Sequence, residues 1–417
     1  MVNIEDKKIS PNKKVVDATK VQVLYMPLVT KTGYIYKPIV KAGDHVCIGT
    51  TLAKNNITDI PLLSSVSGTV VGFQEKYISN GQLVKCIVIE NDFKERYQNK
   101  EGKRKIISKC SKEEFLYTLK KSGITGLGGG DFPTYVKYDT NKKIKYLIIN
   151  AAECEIFTSC DGALIYNHSE EILECIDAIL EIMNIEKAYI AINQNNIKVI
   201  NKLLKHIYSY PNIKIYGLID AYPTGYEKYL VNEILGLDYE KIPLEVGVIV
   251  NNVATIYAIY ETLKYGKPLT DRIVSVSGPG IKNSTNYFVK IGTNFNELMM
   301  KNNEYKKIDN PILIAGGAMM GSSIPEDELI ITRDLNTILV LDNKNETVEE
   351  CIKCGKCNEV CPIGLLPSMI INNPHQAKDY KIEKCLNCGL CSYVCPSKIE
   401  VREILKNIKK ESKNDKV

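Results

Sequence analysis

The chain has 417 residues, 44% of them apolar and 25% charged, with a formal net charge of +5. The length exceeds one ordinary domain, so two to four are expected. The composition is that of a soluble globular protein, no run of eighteen apolar residues argues for a membrane span, and the charge is too weak to argue for nucleic acid.

The N-terminus, MVNIEDKKISPNKK, is polar and carries no apolar core of a signal peptide. A cytoplasmic chain is therefore expected, in which clustered cysteines bind metal rather than form disulfides. Residues 20–91 read as short strands. The segments PIVKAGDHVCIGTTLA and PLLSSVSGTVVGF have turn signals at Gly43-Asp44 and Ser67-Gly68. They resemble the two halves of a biotinyl- or lipoyl-type barrel-sandwich. The hairpin of such carriers presents a Met-Lys pair; here it is KNNITDIP, and Lys54 has no such context. A structural role is expected, as a wall over the rest of the chain.

The stretch EEFLYTLKKSG reads as an amphipathic helix and leads into GITGLGGGDFPTYVK at 123–137. Gly126, Gly128, Gly129 and Gly130 crowd into five positions. Such a loop lets backbone N–H groups approach a phosphate or a flat ring. Alone it is weak evidence; its order is not the Rossmann fingerprint, and a mobile turn is the plain alternative. A buried-type strand, KYLIINAAE at 145–153, follows. Asn150, Glu153 and Glu155 cluster at its C-terminal end, where open α/β sheets bind ligands. Helix at 168–183, strand at 187–193, helix at 195–208 and strand at 212–219 continue the alternation, which predicts a parallel sheet covered by helices. Asn251 and Asn252 come after the apolar GVIV and open a further helix, well placed to offer amides and carbonyls to a flavin. Cys154 and Cys160 read as small buried thiols.

Residues 271–345 contain RIVSVSG, PILIAGGAMMG and NTILVLD, which suggest a small β-grasp module. Met319 and Met320 are expected in its core. Beyond it lie two copies of C-x2-C-x2-C-x3-C-P: Cys351, Cys354, Cys357, Cys361 and Cys385, Cys388, Cys391, Cys395. This is the bacterial ferredoxin spacing for two [4Fe–4S] clusters, in which the fourth cysteine of each run serves the other cluster. Cys351, Cys354, Cys357 and Cys395 are assigned to one cluster, and Cys385, Cys388, Cys391 and Cys361 to the other. Zinc knuckles rarely repeat three cysteines at this spacing with a Cys-Pro close. Clusters carry single electrons, so a nicotinamide donor would require a flavin between them. The tail from Val401, VREILKNIKKESKNDKV, is basic and partly amphipathic; a solvated tail is the plain reading and a membrane-surface or partner role the other.

The motifs GLGGGDFPTYVK, INAAECE, YPTGYEKYL, VGVIVNNVAT and GKPLTDRIVSVSG, in this order before the twin cysteine runs, resemble the C subunit of the Rnf electron-transport complex. They also resemble the flavin- and NADH-binding subunit of respiratory complex I. The resemblance covers about residues 20–400. It implies an α/β multidomain chain: an N-terminal barrel-sandwich hybrid over 1–95, a Rossmann-like FMN/NADH-binding α/β domain over 96–270, a β-grasp domain of the soluble-ligand-binding type over 271–345, and a ferredoxin-like 2[4Fe–4S] domain over 346–417. It implies FMN contacts at Gly126, Gly128, Lys137, Asn150, Glu153, Tyr222, Gly225, Asn251, Asn252 and Thr255, with Gly129 and Gly130 in the same loop. Phe132, Glu155 and Glu227 match positions that face NADH. No catalytic acid or base is implied. The implied role is the electron-input subunit of an ion-translocating complex, peripheral on the cytoplasmic side of the membrane. Membrane and iron–sulfur subunits would be its partners, with ferredoxin reached through the complex.

The chain departs from the family pattern at several points. Gly130 and Asp131 fill a variable pair in the loop, and a carboxylate there would repel phosphate if it faced inward. Tyr226 stands in PTGYEK where the family has glycine, Ile156 replaces a common proline, and Ala318 replaces the proline of GGPMMG. KKISPNKK stands where a GGIHPP-like segment is usual. Two rival readings follow. One is a soluble flavin and iron–sulfur reductase of the kind serving cobalamin recycling or proline reductase. The other is an electron-transfer adaptor that does not bind NADH.

Overall fold

The run YLIINA is apolar at every position except Asn150, which suits a strand buried on both faces. In the computed structural model, Leu147, Ile148 and Ile149 are fully buried. The structure describes residues 14–99, 106–302, 304–343 and 347–414. Most of the KKISPNKK segment and the last three residues of the basic tail lie outside them.

Four parallel strands form the central sheet, in the order Ile213–Leu218, Lys187–Asn193, Tyr146–Ala151, Val248–Asn252. The first three in sequence run outward in one direction, and the fourth returns to the other side of Tyr146–Ala151. The strand order thus reverses between Tyr146–Ala151 and Val248–Asn252, which opens a crevice at their C-terminal ends. Helices Cys160–Met183 and Val253–Tyr265 pack on this sheet, and Ile172, Ile176, Ile256 and Ile259 join its core.

The Cys160–Met183 helix begins eight residues before the predicted start. Its first turns are buried, so they lack the polar face that marks an amphipathic helix. A non-helical residue, His168, sits where the predicted helix begins.

Upstream, two antiparallel sheets share one core built on Leu24, Val46, Leu52, Val70 and Ile87. Thr51–Lys54 and Leu62–Leu63 form the predicted hairpin. Its connection is organised by Asn55, whose side-chain oxygen accepts from the Ile57 and Thr58 amides at 2.8 and 2.9 Å. Downstream, a six-stranded mixed sheet spans Asp271–Asp342 and takes Val16–Asp17 on its edge beside Thr285–Lys290.

The last segment packs short helices around Ile370, Ile382, Val401, Leu405 and Ile408. The Val401–Asn414 helix therefore lays its apolar face on this core and is not a solvated tail. Lys409 on that helix donates to the Cys385 carbonyl at 2.6 Å.

Candidate functional site

Asn252 is paired in register with Asn150 across the point where the strand order reverses. Asn252 also caps the Val253–Tyr265 helix, accepting from the Ala254 amide at 2.9 Å, and donates to the Asp161 carboxylate at 2.5 Å. Asn251 is buried and donates to the Tyr138 hydroxyl at 2.6 Å. Asn150 donates to the Gly225 carbonyl at 2.8 Å and so ties the strand end to the Tyr222–Tyr226 loop.

The glycine loop lies over this crevice. A Cβ on Gly128 would stand 3.0 Å from the Asn252 Cβ, so only glycine fits that approach without displacement. A Cβ on Gly129 or Gly130 would meet nothing within 4 Å, so these two residues border open space. The Leu127 amide donates to Thr255 Oγ1 at 3.0 Å, and Gly126 closes the loop through its N–H on the Phe132 carbonyl at 2.8 Å. Phe132 is 43% exposed, a large aromatic ring left at the mouth.

Asp131 points away from the open side. It is 6% exposed, accepts from Thr125 Oγ1 at 2.7 Å, and faces Arg333 Nε at 3.4 Å. Burial raises its carboxyl above the ordinary value while Arg333 opposes the rise. The feared repulsion of a phosphate by this carboxylate is absent from the geometry.

The other predicted residues divide by what they touch. Lys137 donates to the Val250 carbonyl at 2.7 Å and lies 3.7 Å from Glu227; burial lowers the lysine from its usual value and raises the carboxyl. Glu153 is buried, and its two oxygens accept from the Asp161 and Gly162 amides at 2.7 and 3.0 Å. It therefore satisfies the first turn of the Cys160–Met183 helix. Glu155 is turned toward the Met319 and Met320 amides, both at 2.9 Å, and a Cβ on Gly317 would strike its carboxylate. Neither glutamate leaves both carboxylate oxygens free for a dinucleotide. Cys160 is buried and its thiol is pushed up by burial, as expected of an inert thiol.

Tyr222 joins the crevice to the cysteine runs. It is 1% exposed, and its hydroxyl donates to the Cys388 carbonyl at 2.6 Å. It packs with Met319, Leu390 and Cys154. Met320, by contrast, is 48% exposed and is not in the core. A cavity of about 410 Å³ lies beside this junction, lined by Tyr226, Tyr229, Asn232, Pro362, Ile363 and Leu386. Another, of about 660 Å³, is lined by Leu127, Cys160, Asp161, Tyr257 and Arg272.

The two cysteine runs repeat in backbone as well as in sequence. Lys353 and Gly355 have φ of 56° and 77°, and Asn387 and Gly389 have 54° and 83°. Each run then enters a four-residue helix, Lys356–Glu359 or Leu390–Tyr393. Cys361 lines one small cavity together with Cys385, Cys388 and Cys391. The fourth cysteine of the first run thus lies on the same cavity as the first three of the second.

Sequence reasoning missed Arg272, Arg333 and Arg402. None stands in a spacing pattern of its own; Arg272 and Arg402 act on backbone carbonyls distant in sequence, and Arg333 on the distant side chains of Asp131 and Tyr36. Arg402 donates to the Met319 and Gly321 carbonyls at 2.5 and 2.9 Å.

Residues 119–261 match the family model described as the Nuo51 FMN-binding domain, residues 2–94 the RnfC barrel sandwich hybrid domain, and residues 350–399 a 4Fe-4S dicluster domain. The chain is 31% identical over 376 residues to the C subunit of the proton-translocating ferredoxin:NAD(+) oxidoreductase complex of Clostridium ljungdahlii, covering 88% of this chain and 81% of that one. It is 30% identical over 356 residues to the C subunit of the Na(+)-translocating ferredoxin:NAD(+) oxidoreductase complex of Acetobacterium woodii, covering 84% and 80%. Against the C subunit of the ion-translocating oxidoreductase complex of Pasteurella multocida it is 29% identical, covering 88% of this chain but 45% of that longer one. A solved NAD+-reducing [NiFe]-hydrogenase in its H2-reduced state overlaps 74% of this chain and 55% of its own at 17% identity and a TM-score of 0.48.

Proposed function

The chain belongs to the family of C subunits of ion-translocating ferredoxin:NAD(+) oxidoreductase complexes, and we propose that it is the electron-input subunit of such a complex, moving electrons between NADH, FMN and two [4Fe–4S] clusters. The observation that carries this reading is the Tyr222 hydroxyl on the Cys388 carbonyl, because it seats the second cysteine run directly against the crevice.

The residues present suit FMN. Gly129 and Gly130 border open space, and Gly128 lets the loop lie close on Asn252. Asn150, Asn252 and Gly225 present polar groups around the crevice, and Thr255 and Asn251 fix the loop and strand that frame it. Lys137 is a cation beneath it with donors beyond the one given to Val250. FMN held there would supply the conversion between two-electron nicotinamide chemistry and one-electron cluster chemistry. The cysteines suit two clusters, one on Cys385, Cys388, Cys391 and Cys361 and the other on Cys351, Cys354, Cys357 and Cys395. The chain's own groups bind, orient and space these cofactors. Phe132, exposed at the mouth, is the residue proposed to stack on the nicotinamide nucleotide. Glu227, 3.7 Å from Lys137, is the residue proposed as a ribose acceptor, and Glu155 drops to a structural role. The unit boundaries proposed are 1–95, 96–270, 271–345 and 346–417, with Val16–Asp17 crossing to the third unit's sheet.

Membrane attachment is proposed through partner subunits on the cytoplasmic side, since the relatives are named as subunits of ion-translocating complexes. Among the described residues no helix is long and apolar enough to cross a membrane. The adaptor reading loses one of its two motives, because Asp131 faces Arg333. Anaerobic purification, flavin and iron analysis, and NADH titration test the proposal. Bleaching of the flavin band by NADH, followed by cluster reduction, is expected. Clusters that respond to dithionite beside a flavin that ignores NADH would overturn the NADH assignment.

A further inference from the structure

We propose that Asp131, Arg333 and Arg272 are positioning residues: Arg272 of the six-stranded sheet and Arg333 of the turn leading into its Thr337–Asp342 strand hold the glycine loop in shape from its buried side. The inference rests on the reading that this loop binds FMN.

Asp131 has a φ of 46°, a left-handed conformation that most side chains avoid and that Asp and Asn tolerate. Its carboxylate accepts from Thr125 Oγ1 at one end of the loop and faces Arg333 Nε. Arg333 in turn donates to the Tyr36 hydroxyl of the N-terminal sheets at 3.0 Å. Arg272 is 4% exposed and donates to the Leu127 carbonyl at 3.2 Å and to the Arg333 carbonyl. The Leu127 peptide is thus gripped on both sides, with its N–H on Thr255 and its carbonyl on Arg272. Both arginines lie outside the parallel sheet that carries the crevice, so the loop's shape depends on how a separate sheet is seated.

A buried ion pair contributes little net stability but fixes geometry, and removing one partner leaves a buried charge unpaired. Here the geometry fixed is that of Gly126–Gly130, the segment bordering the open crevice. This also accounts for a carboxylate in the loop of a site built for an anionic cofactor: the charge is spent on the far side, against a cation.

The test uses the full chain with clusters reconstituted anaerobically. Asp131→Ala is expected to weaken FMN binding roughly tenfold, by loss of preorganisation, and to alter the visible circular dichroism of bound flavin. Asp131→Asn keeps an acceptor oxygen for Thr125 and Arg333 and tolerates the left-handed backbone but gives up the charge opposite Arg333, so it is expected to recover part of the affinity. Iron content should match the parent in both. Hydrogen exchange of the 126–132 amides, measured without flavin, should rise in Asp131→Ala and in Arg333→Met. Unchanged exchange and unchanged affinity in Asp131→Ala would overturn the proposal. So would a loss that Asp131→Asn fails to lessen. If the parent chain bound no FMN, the flavin reading would fall, and the exchange measurement would still decide whether the arginines hold the loop.

Discussion

Gly355 and Gly389 occupy equivalent positions in the two cysteine runs, with φ of 77° and 83°. Replacing either with alanine costs the left-handed penalty of an L-residue, about 1–2 kcal/mol. They differ in what the new Cβ would meet. At Gly355 it meets nothing within 4 Å, whereas at Gly389 it falls 2.4 Å from the Met319 carbonyl oxygen. A relaxed carbon–oxygen contact needs roughly 3.3 Å, so something must move by close to an ångström. The oxygen is poorly free to retreat, since it accepts from Arg402 and its own residue's amide is held by Glu155. Overpacking of this kind adds about 1–3 kcal/mol. Gly389→Ala should therefore cost about 2–5 kcal/mol and Gly355→Ala about 1–2. The assay is anaerobic guanidinium titration followed through the cluster absorbance, which isolates this region in a multi-unit chain. A Gly355→Ala midpoint at or below that of Gly389→Ala would refute the claim that Gly389 is a docking contact.

Gly130→Ala separates ligand space from protein space: with no protein atom within 4 Å of the new Cβ, stability without flavin should stay within about 0.5 kcal/mol, while FMN affinity falls; an unchanged affinity would place the flavin elsewhere. Tyr222→Phe keeps the ring and removes the hydrogen bond to Cys388, at a cost of about 1 kcal/mol and up to about 3 if the carbonyl is left dry. The electron paramagnetic resonance spectrum of the adjoining cluster should shift with it, and an unchanged spectrum and midpoint would count against the contact. Asp161 is pushed up to about 6 by burial, against the opposing Asn252 amide. A raised carboxyl stabilises the fold below its unfolded value near 3.8 and loses that contribution as pH rises through 6. At about 1.4 kcal/mol per unit the loss is on the order of 3 kcal/mol. Asp161→Asn should remove it, so melting temperatures of variant and parent should diverge in the variant's favour from pH 4 to 7; a constant gap would refute the shift.

The dicluster segment was legible because its pattern is local: three cysteines on one turn, then a helix, repeated. The crevice was legible as well, since apolar strands alternating with helices announce a parallel sheet, and polar residues at strand ends mark its ligand side. Contacts across units were not legible. Glu155 lies just beyond the strand that carries Asn150, so the strand-end rule sends it to the ligand. Its oxygens instead take the Met319 and Met320 amides, a pairing no local pattern encodes. Asp131 beside a row of glycines reads as a hazard to phosphate until Arg333 is seen opposite it. The Val401–Asn414 helix shows its amphipathic pattern plainly, but only the packing of Val401, Leu405 and Ile408 says what the apolar face covers.

A chain that moves electrons between bound cofactors must hold its units in fixed register, and here three segments meet at one turn. The segment Gly316–Gly321 receives Glu155 from the strand-end loop of the parallel sheet, Arg402 from the last helix, and Gly389 from the second cysteine run. All three contacts fall on its backbone rather than on its methionine side chains. The glycines of GGAMMG follow from this. A Cβ on Gly317 would strike Glu155, and one on Gly321 would lie 2.5 Å from the Gly317 carbonyl oxygen. Glu155 presents one oxygen to each of two N–H donors, which a glutamine could not do, having only one acceptor oxygen. The carboxylate that looked like a substrate ligand is thus the fastening between the strand-end crevice and the second cysteine run, and Tyr222 closes the same joint from the other side.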